Sequence, residues 1–359
     1  MNIIFSAGGT GGHLYPALAL ASYIKSQDSS SQILFIGSNY RIEATKVSEY
    51  GFMFKGLNIK TPSGSLLKKV IGYKDVLLKI KECQKIIKEF KPDVVIGFGG
   101  YTSYSVLKAS ERLKIPYYLH EQNSIIGKAN LTLLNKAQGL ICAYPLELKT
   151  NTPLHLLGNP TSYQIKKSSI ANLNDYGLSN DLPTLLIMMG SQGSMIVDEF
   201  IYDMIVHYDD NYQLIYVCGN NYYDRYHKLK LNDKVKVIAY ENNMPSLIKA
   251  CTLIVSRAGA SALSEIISAN KPALLIPSIH VTNNHQYHNA SLLVKNECAL
   301  IINEAELSRN LLSTKINELL NDHDLLVKMI ENTKKFNYDD SAMLIYQLLK
   351  NEIGDNIEK

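Results

Sequence analysis

The chain has 359 residues, 46% apolar and 19% charged, enough for two domains that each bury a core. A formal charge of +4 is too small to point to nucleic acid, and five scattered cysteines (Cys83, Cys142, Cys218, Cys251, Cys298) with no CxxC fit reduced thiols and exclude a disulfide or zinc framework. No run of about 18 apolar residues is present to span a bilayer, and the first residues read as a strand, not as a signal peptide.

In chain order, short apolar runs alternate with helical patterns. Strands are predicted over 2–6, 33–36, 93–96, 117–120 and 139–142, with helical spacing between them as in 16–25 and 76–90. Ile-, Val- and Leu-rich strands alternating with helices predict a parallel sheet covered by helices. The pattern breaks at Leu157-Gly158-Asn159-Pro160. It restarts with strands over 184–189, 213–217, 234–238, 253–255, 273–276 and 299–302, and from about 303 reads as helices alone. The expected fold class is α/β, with two doubly wound, Rossmann-like parallel-sheet domains facing across a cleft. Their expected limits are 1–160 and 161–336, with a last helix over about 337–352 packing back on the first.

Such sheets bind ligands at the carboxyl ends of their strands. Gly8-Gly9-Thr10-Gly11-Gly12-His13 follows the first strand and opens a helix. Its glycines let the backbone approach a ligand, and the helix N-terminus offers free N–H groups and partial positive charge. A dinucleotide site is disfavoured. Counted from Gly9, the last glycine of GxGxxG is Leu14, and the second strand ends Phe35-Ile36-Gly37-Ser38 without an acid. A lone histidine is usually structural, but His13 closes the loop at the cleft, which favours general-base chemistry. Gly97-Phe98-Gly99-Gly100-Tyr101-Thr102-Ser103 and His120-Glu121-Gln122-Asn123 end two more strands, so three polar loops should converge.

The second half repeats the logic. Met189-Gly190-Ser191-Gln192-Gly193-Ser194 passes from strand to helix, which suits a phosphate. The segment from Ser256 and Arg257 to Glu265 does the same. Glu265 can take both hydroxyls of a ribose, although a helix start also accounts for an acid there. His285-Gln286-Tyr287-His288-Asn289-Ala290 begins another helix, where Gln286 and Asn289 suit sugar hydroxyls. Asp322-His323-Asp324 has no glycine loop nearby and reads as a helix start, so no metal site is expected.

Taken together and in order, these six motifs resemble those of the bacterial MurG family, N-acetylglucosaminyltransferases that convert lipid I to lipid II in peptidoglycan synthesis. The resemblance implies a GT-B fold and an inverting hexosyl transfer without cofactor or metal. The implied donor is UDP-N-acetylglucosamine, and the acceptor is the 4-hydroxyl of N-acetylmuramoyl-pentapeptide on undecaprenyl diphosphate. It places Ser191, Gln192 and Gly193 at the diphosphate, and Arg257, Ala260, Ser261, Ala262, Leu263, Ser264 and Glu265 at nucleoside and phosphate, with Glu265 on the ribose. Arg257 and helix N-termini would carry the positive charge. His285, Gln286 and Asn289 would read the sugar, with Thr10, Gly11, Gly12 and Asn123 closing on it. His13, Glu121, Gly99, Gly100, Tyr101, Thr102 and Ser103 would lie near the acceptor; His13, the one imidazole on a glycine loop of that domain, is the expected base and Glu121 its competitor.

Three positions depart from the family pattern. Its junction arginine is Ser162 here, after Asn159-Pro160-Thr161, with Lys166 or Lys167 as substitutes; the uracil-facing position is Glu241 after Tyr240; and Met189 stands where glycine is frequent. Between Ile59 and Lys91 lie Lys60, Lys68, Lys69, Lys74, Lys79, Lys81, Lys85 and Lys88, interleaved with Leu66, Leu67, Val70, Ile71, Tyr73, Val76, Leu77 and Ile80. This segment is either a patch for the anionic inner membrane surface, which would make the protein peripheral on the cytoplasmic face, or an ordinary amphipathic helix with a solvated lysine face. Other readings compatible with the motifs are a UDP-sugar transferase acting on diacylglycerol, a UDP-N-acetylglucosamine 2-epimerase, and a non-catalytic donor-binding subunit.

Overall fold

The computed structural model describes residues 1–59, 66–190, 193–209, 211–336 and 340–357, without the side chains of 66–75, 282 and 354–357. Strands that lack a polar face must be covered on both sides, and those of the amino-terminal half are. The elements there are β1 (Asn2–Ser6), α1 (Gly11–Gln27), β2 (Gln32–Ser38), α2 (Glu43–Glu49), β3 (Met53–Leu57), α3 (Leu66–Phe90), β4 (Val94–Gly97), α4 (Gly100–Leu113), β5 (Tyr117–Glu121), α5 (Lys128–Leu133), β6 (Gly139–Cys142) and β7 (Leu154–Leu156). The strands form one parallel sheet in the order β3-β2-β1-β4-β5-β6-β7. Alternate residues serve opposite faces. Ile3, Phe5, Ile33, Phe35, Val94 and Ile96 pack with α1, while Ile4, Leu34, Ile36 and Val95 pack with Ile80 and Ile87 of α3 and Val106 of α4.

The strands absent from the sequence prediction, β3 and β7, are the two edges of this sheet. An edge strand is covered less, so β3 alternates partly exposed residues and β7 is three residues long with both ends exposed. Neither leaves an apolar run to find.

A short helix α6 (Ser162–Lys167) leads into the second sheet. It is built from β8 (Thr184–Met188), α7 (Met195–Val206), β9 (Gln213–Val217), β10 (Val235–Ile238), α8 (Met244–Ala250), β11 (Leu253–Ser256), α9 (Ala260–Ser268), β12 (Ala273–Leu275), α10 (His285–Lys295) and β13 (Ala299–Ile301), followed by α11 (Arg309–Asn321) and α12 (His323–Thr333). Its strand order is β10-β9-β8-β11-β12-β13, again parallel. The last helix, α13 (Ser341–Ile357), lies on α1, with Ala342, Ile345 and Leu349 fully buried and Tyr346 edge-on to Tyr23 at 6.0 Å. The chain thus divides into Met1–Tyr163 with Asp339–Lys359, and Gln164–Tyr338.

Each sheet reverses its winding once, between β1 and β4 and between β8 and β11. Chains leaving two such neighbouring strands turn to opposite faces and open a crevice at the carboxyl edge. Residues 7–10 and 98–99 flank that point in the first sheet, and 189–190, 193–194 and 257–259 in the second.

Candidate functional site

In the first unit two glycine turns meet at the switch point. Gly100 has φ +85°, and a Cβ on it would lie 2.5 Å from the Gly8 carbonyl oxygen. A Cβ on Gly8 would in turn lie 2.8 Å from Thr102 Oγ1. Only hydrogen fits at either position. The Ser103 hydroxyl donates to the Ser6 carbonyl at 2.6 Å and pins α4 to β1. Thr102 and Ser103 are therefore buried and hold the turns together, whereas Tyr101 stands 59% exposed.

Thr10 precedes α1 without capping it through its side chain, and Gly11, Gly12 and His13 form the first turn. His13 Nδ1 lies 3.0 Å from the Gly8 carbonyl and 3.4 Å from Thr10 Oγ1. A carbonyl only accepts, so Nδ1 carries the proton and the lone pair of the neutral ring is on Nε2. Nε2 points to Gly99, where a Cβ would lie 3.1 Å away.

Glu121, the competing candidate for the base, is engaged on both oxygens. It is 2% exposed. Its Oε1 accepts from the Asn123 N–H at 3.1 Å and Nδ2 at 3.0 Å, and its Oε2 from the Gly127 N–H at 2.8 Å and Asn130 Nδ2 at 2.9 Å. Four donors fill the sites of a carboxylate, which clamps the loop carrying Asn123. His120 is fully buried and stacked on Phe98 at 4.9 Å. Burial pushes its imidazole down to about 3, so it stays neutral. Gln122 Nε2 lies 3.0 Å from both His120 Nδ1 and the Phe98 carbonyl.

Glu43 was not in any motif. Its buried carboxylate accepts from the Gly9 N–H at 3.3 Å and the Ser38 N–H at 3.0 Å, joining the loops after β1 and β2. The signal for it was slight: an acid at a helix start, beside a glycine (Gly37) whose Cβ would lie 2.5 Å from Glu43 Cγ.

In the second unit Ser191 and Gln192 lie outside the described residues. Beyond them, a Cβ on Gly193 would lie 2.5 Å from the Tyr222 ring. Ser194 is the N-cap of α7, yet its hydroxyl does not cap the helix; it accepts instead from Arg257 Nη2. Arg257 also donates to the Ile276 carbonyl at 3.0 Å and forms an ion pair with Glu304. Burial alone would raise the Glu304 carboxyl. The Arg257 hydrogen bond and charge, with the Ile279 N–H at 3.1 Å, outweigh burial and hold it below its usual value. Arg257, expected to lend its charge to a diphosphate, is thus neutralised by a residue in no motif.

On α9, Leu263 is fully buried and belongs to the core, Ala260 and Ser264 are nearly so, and Ser261 and Ala262 are half-buried. Ser261 Oγ is buried without a hydrogen-bond partner among the described residues. Glu265 is half-buried, and no described residue pairs with its carboxylate. Desolvation, unopposed, pushes that carboxyl up to about 7.

The Glu241 carboxylate accepts from the Tyr176 hydroxyl at 2.7 Å and the Asn243 N–H at 2.6 Å, which shapes its turn and leaves Tyr240 52% exposed. On α10, His285 is half-buried, Gln286 Oε1 accepts from the Ser278 N–H at 2.9 Å, and buried Asn289 donates to the Ala258 carbonyl at 3.2 Å. At the junction Asn159 Oδ1 accepts from the Thr161 N–H and hydroxyl, and Ser162 is 3% exposed with its hydroxyl unpartnered among the described residues. Lys166 and Lys167 are exposed at the end of α6. Asp322 caps α12 through the Leu325 N–H at 2.9 Å.

The chain matches the glycosyltransferase family 28 N-terminal domain over residues 3–141 and the family 28 C-terminal domain over residues 184–344. A Leuconostoc citreum protein, UDP-N-acetylglucosamine–N-acetylmuramyl-(pentapeptide) pyrophosphoryl-undecaprenol N-acetylglucosamine transferase, is 38% identical, covering 97% of this chain and 98% of its own. Its namesake in Pediococcus pentosaceus is 36% identical, covering 98% and 99%. The crystal structure of Acinetobacter baumannii MurG aligns with a TM-score of 0.78 over 98% of this chain and 99% of that one, at 22% identity. The fold is therefore GT-B, with two doubly wound parallel-sheet domains.

The glycine contacts predict a graded response. Gly9, at φ +92°, has nothing within 4 Å of a built Cβ, so Gly9→Ala meets only the left-handed backbone penalty of about 1–2 kcal/mol. Gly100→Ala adds a collision with the Gly8 carbonyl and should cost more. Urea unfolding of the two variants measures this, and equal losses would contradict the close approach.

Proposed function

Because the chain belongs to the MurG family of N-acetylglucosaminyltransferases, within glycosyltransferase family 28, we propose how its residues divide the labour of that reaction. The protein transfers N-acetylglucosamine from UDP-N-acetylglucosamine to N-acetylmuramyl-(pentapeptide) pyrophosphoryl-undecaprenol, the lipid I to lipid II step of peptidoglycan synthesis. Membership sets aside the diacylglycerol, epimerase and non-catalytic readings.

The acceptor 4-hydroxyl becomes a good nucleophile when its proton is removed. His13 is the base, and the observation that carries this assignment is the Nδ1 contact with the Gly8 carbonyl, which leaves Nε2, on the Gly99 side of the ring, as the nitrogen with the basic lone pair. As Nε2 takes the proton, the oxygen attacks the anomeric carbon opposite the diphosphate. The bond to the leaving oxygen breaks with its electron pair, and configuration inverts. Glu121, already saturated, holds the loop so that Asn123, with Thr10, Gly11 and Gly12, meets the sugar. Gly99 to Ser103 shape the acceptor side, with Tyr101 as the exposed contact.

The leaving diphosphate gains negative charge. It faces the loop before α7, whose amino end no side chain caps, as is also true of α9. Their free N–H groups and dipoles stabilise it. Glu265, which no described residue pairs with, accepts two ribose hydroxyls in its ionised form. Gln286, whose oxygen is occupied by Ser278, donates its amide hydrogens to the sugar beside His285. Uracil is met by the main chain at Glu241, whose carboxylate is occupied by Tyr176 and Asn243.

The acceptor's polyprenyl tail stays in the bilayer, so the protein docks peripherally on the cytoplasmic face. No described helix is long and apolar enough to cross a membrane. On α3, Leu78, Lys81, Lys85 and Lys88 recur at helical spacing and are exposed, with Leu77 beside them, while Ile80, Cys83 and Ile87 are buried. This is the docking face. Lys60 lies outside the described residues, as do the side chains of Leu66, Leu67, Lys68, Lys69, Val70, Ile71, Tyr73 and Lys74.

Three outcomes follow. His13→Ala, with folding intact by circular dichroism, should lower kcat by about 10²–10⁴; turnover within a few-fold of wild type would remove the assignment. Glu265 must be ionised to accept two hydroxyls, and its carboxyl sits at about 7. Donor affinity should therefore rise with pH up to about 7 and level off above, with proton release on binding below that point. UDP-N-acetylglucosamine is the right probe, because both its phosphates are diesters that do not titrate there. Calorimetry should show Glu265→Gln binding weakly and without this pH dependence; a wild-type profile in the variant would refute the contact. Finally, co-sedimentation with anionic vesicles should fall with added salt and with Lys81→Glu, Lys85→Glu and Lys88→Glu combined. Equal binding to neutral vesicles would exclude the docking face.

A further inference from the structure

Glu304 belongs to none of the glycine loops, yet with Arg257 it ties together the segments after β8, β11 and β12. It stands on the short turn after β13 and is 5% exposed. Its Oε2 accepts from the Ile279 N–H in the segment after β12, and its Oε1 from Arg257 Nη2 in the segment after β11. Arg257 continues the chain of contacts to the Ile276 carbonyl and to Ser194 Oγ at the start of α7.

Three of the five guanidinium N–H groups are thus committed within the protein: both hydrogens of Nη2, to Ser194 and Glu304, and one of Nη1, to Ile276. The guanidinium cannot swing outward without leaving a buried carboxylate unpaired, which is strongly unfavourable. A buried ion pair adds little stability over well-packed apolar side chains, so its value here is directional. Ser194 shows the direction. Its oxygen accepts from a cation and caps nothing in its own helix. Its own hydrogen is therefore turned away from Arg257, and acceptance from a cation strengthens that hydroxyl as a donor.

We infer that Glu304 is a positioning residue that fixes Arg257 so that Arg257 aims the Ser194 hydroxyl, as a hydrogen-bond donor, at the donor diphosphate before the amino end of α7. This rests on the donor-site reading above. Arg257 works through Ser194, and Glu304 cancels its charge, so the product diphosphate leaves without breaking an ion pair to it.

A double-mutant cycle on the full-length protein tests the relay. Ser194→Ala and Glu304→Ala should each lower kcat/KM for UDP-N-acetylglucosamine by about 10–100-fold, the value of a hydrogen bond to a charged group, with the acceptor KM unchanged. The double variant should lose no more than the worse single variant, because both remove the same contact. Glu304→Gln keeps one acceptor oxygen for Arg257 while its amide NH2 faces the Ile279 N–H, so it should recover part of the loss. Should Glu304→Ala fail to fold, Arg257→Lys, which lacks the fork, takes its place in the cycle with the same expected non-additivity. Multiplying losses, an equal rise in acceptor KM, or no recovery by glutamine would each overturn the relay. Donor binding by the wild-type protein in calorimetry is the control: its absence defeats the donor-site reading, whereas its presence with multiplying losses defeats the relay alone.

Discussion

A parallel sheet covered on both faces can place flexible chain only at its two ends, and a doubly wound sheet opens one of those ends where its winding reverses. Both halves of this protein obey that constraint. Gly8 and Gly100 come together where β1 and β4 end, at a distance that a Cβ would violate. In the second sheet the chain after β8 and the chain after β11 are joined through Ser194 and Arg257. The same topology thus produces one crevice closed by backbone contact and another closed by a charged side chain. The first is suited to orienting a neutral alcohol beside an imidazole, the second to meeting an anion with helix ends.

Four carboxylates at these edges show how environment decides use. Glu43 and Glu304 each receive N–H donors from separate loops, and Glu121 receives them from successive positions of the one segment after β5, so their charge is spent on holding chain segments in place. Glu265 receives none from the described residues. Its desolvation is unopposed and its carboxyl rises, whereas at Glu304 the guanidinium reverses the same tendency. A recessed carboxylate that no described residue satisfies is ready for hydroxyl groups from outside; one that accepts from backbone or guanidinium N–H groups is a brace.

The interior strands were legible in the sequence because burial on both faces demands unbroken apolar runs. The edge strands β3 and β7 were not, because exposure dilutes the pattern. The glycine loops were legible as strand-to-helix passages, and they do stand at the switch points. What the residues around those glycines do was harder to read. Thr102, Ser103, Leu263 and Asn289 lie within the motifs yet are buried and hold the scaffold. Glu304 lies outside them because its partner Arg257 is 47 positions away, and Glu43 because Gly9 is 34 away. Such pairings follow from sheet order, which brings distant loops to one edge, and no local pattern encodes them.

The most direct measurement is transfer of labelled N-acetylglucosamine from its α-configured UDP donor to a short-chain lipid I analogue by the purified protein, with the linkage determined in the product. The expected result is a β-linked disaccharide formed only when acceptor is present, with UDP released in equal amount. An α-linked product, or release of a free or rearranged sugar without acceptor, would contradict inverting transfer by a base-activated hydroxyl.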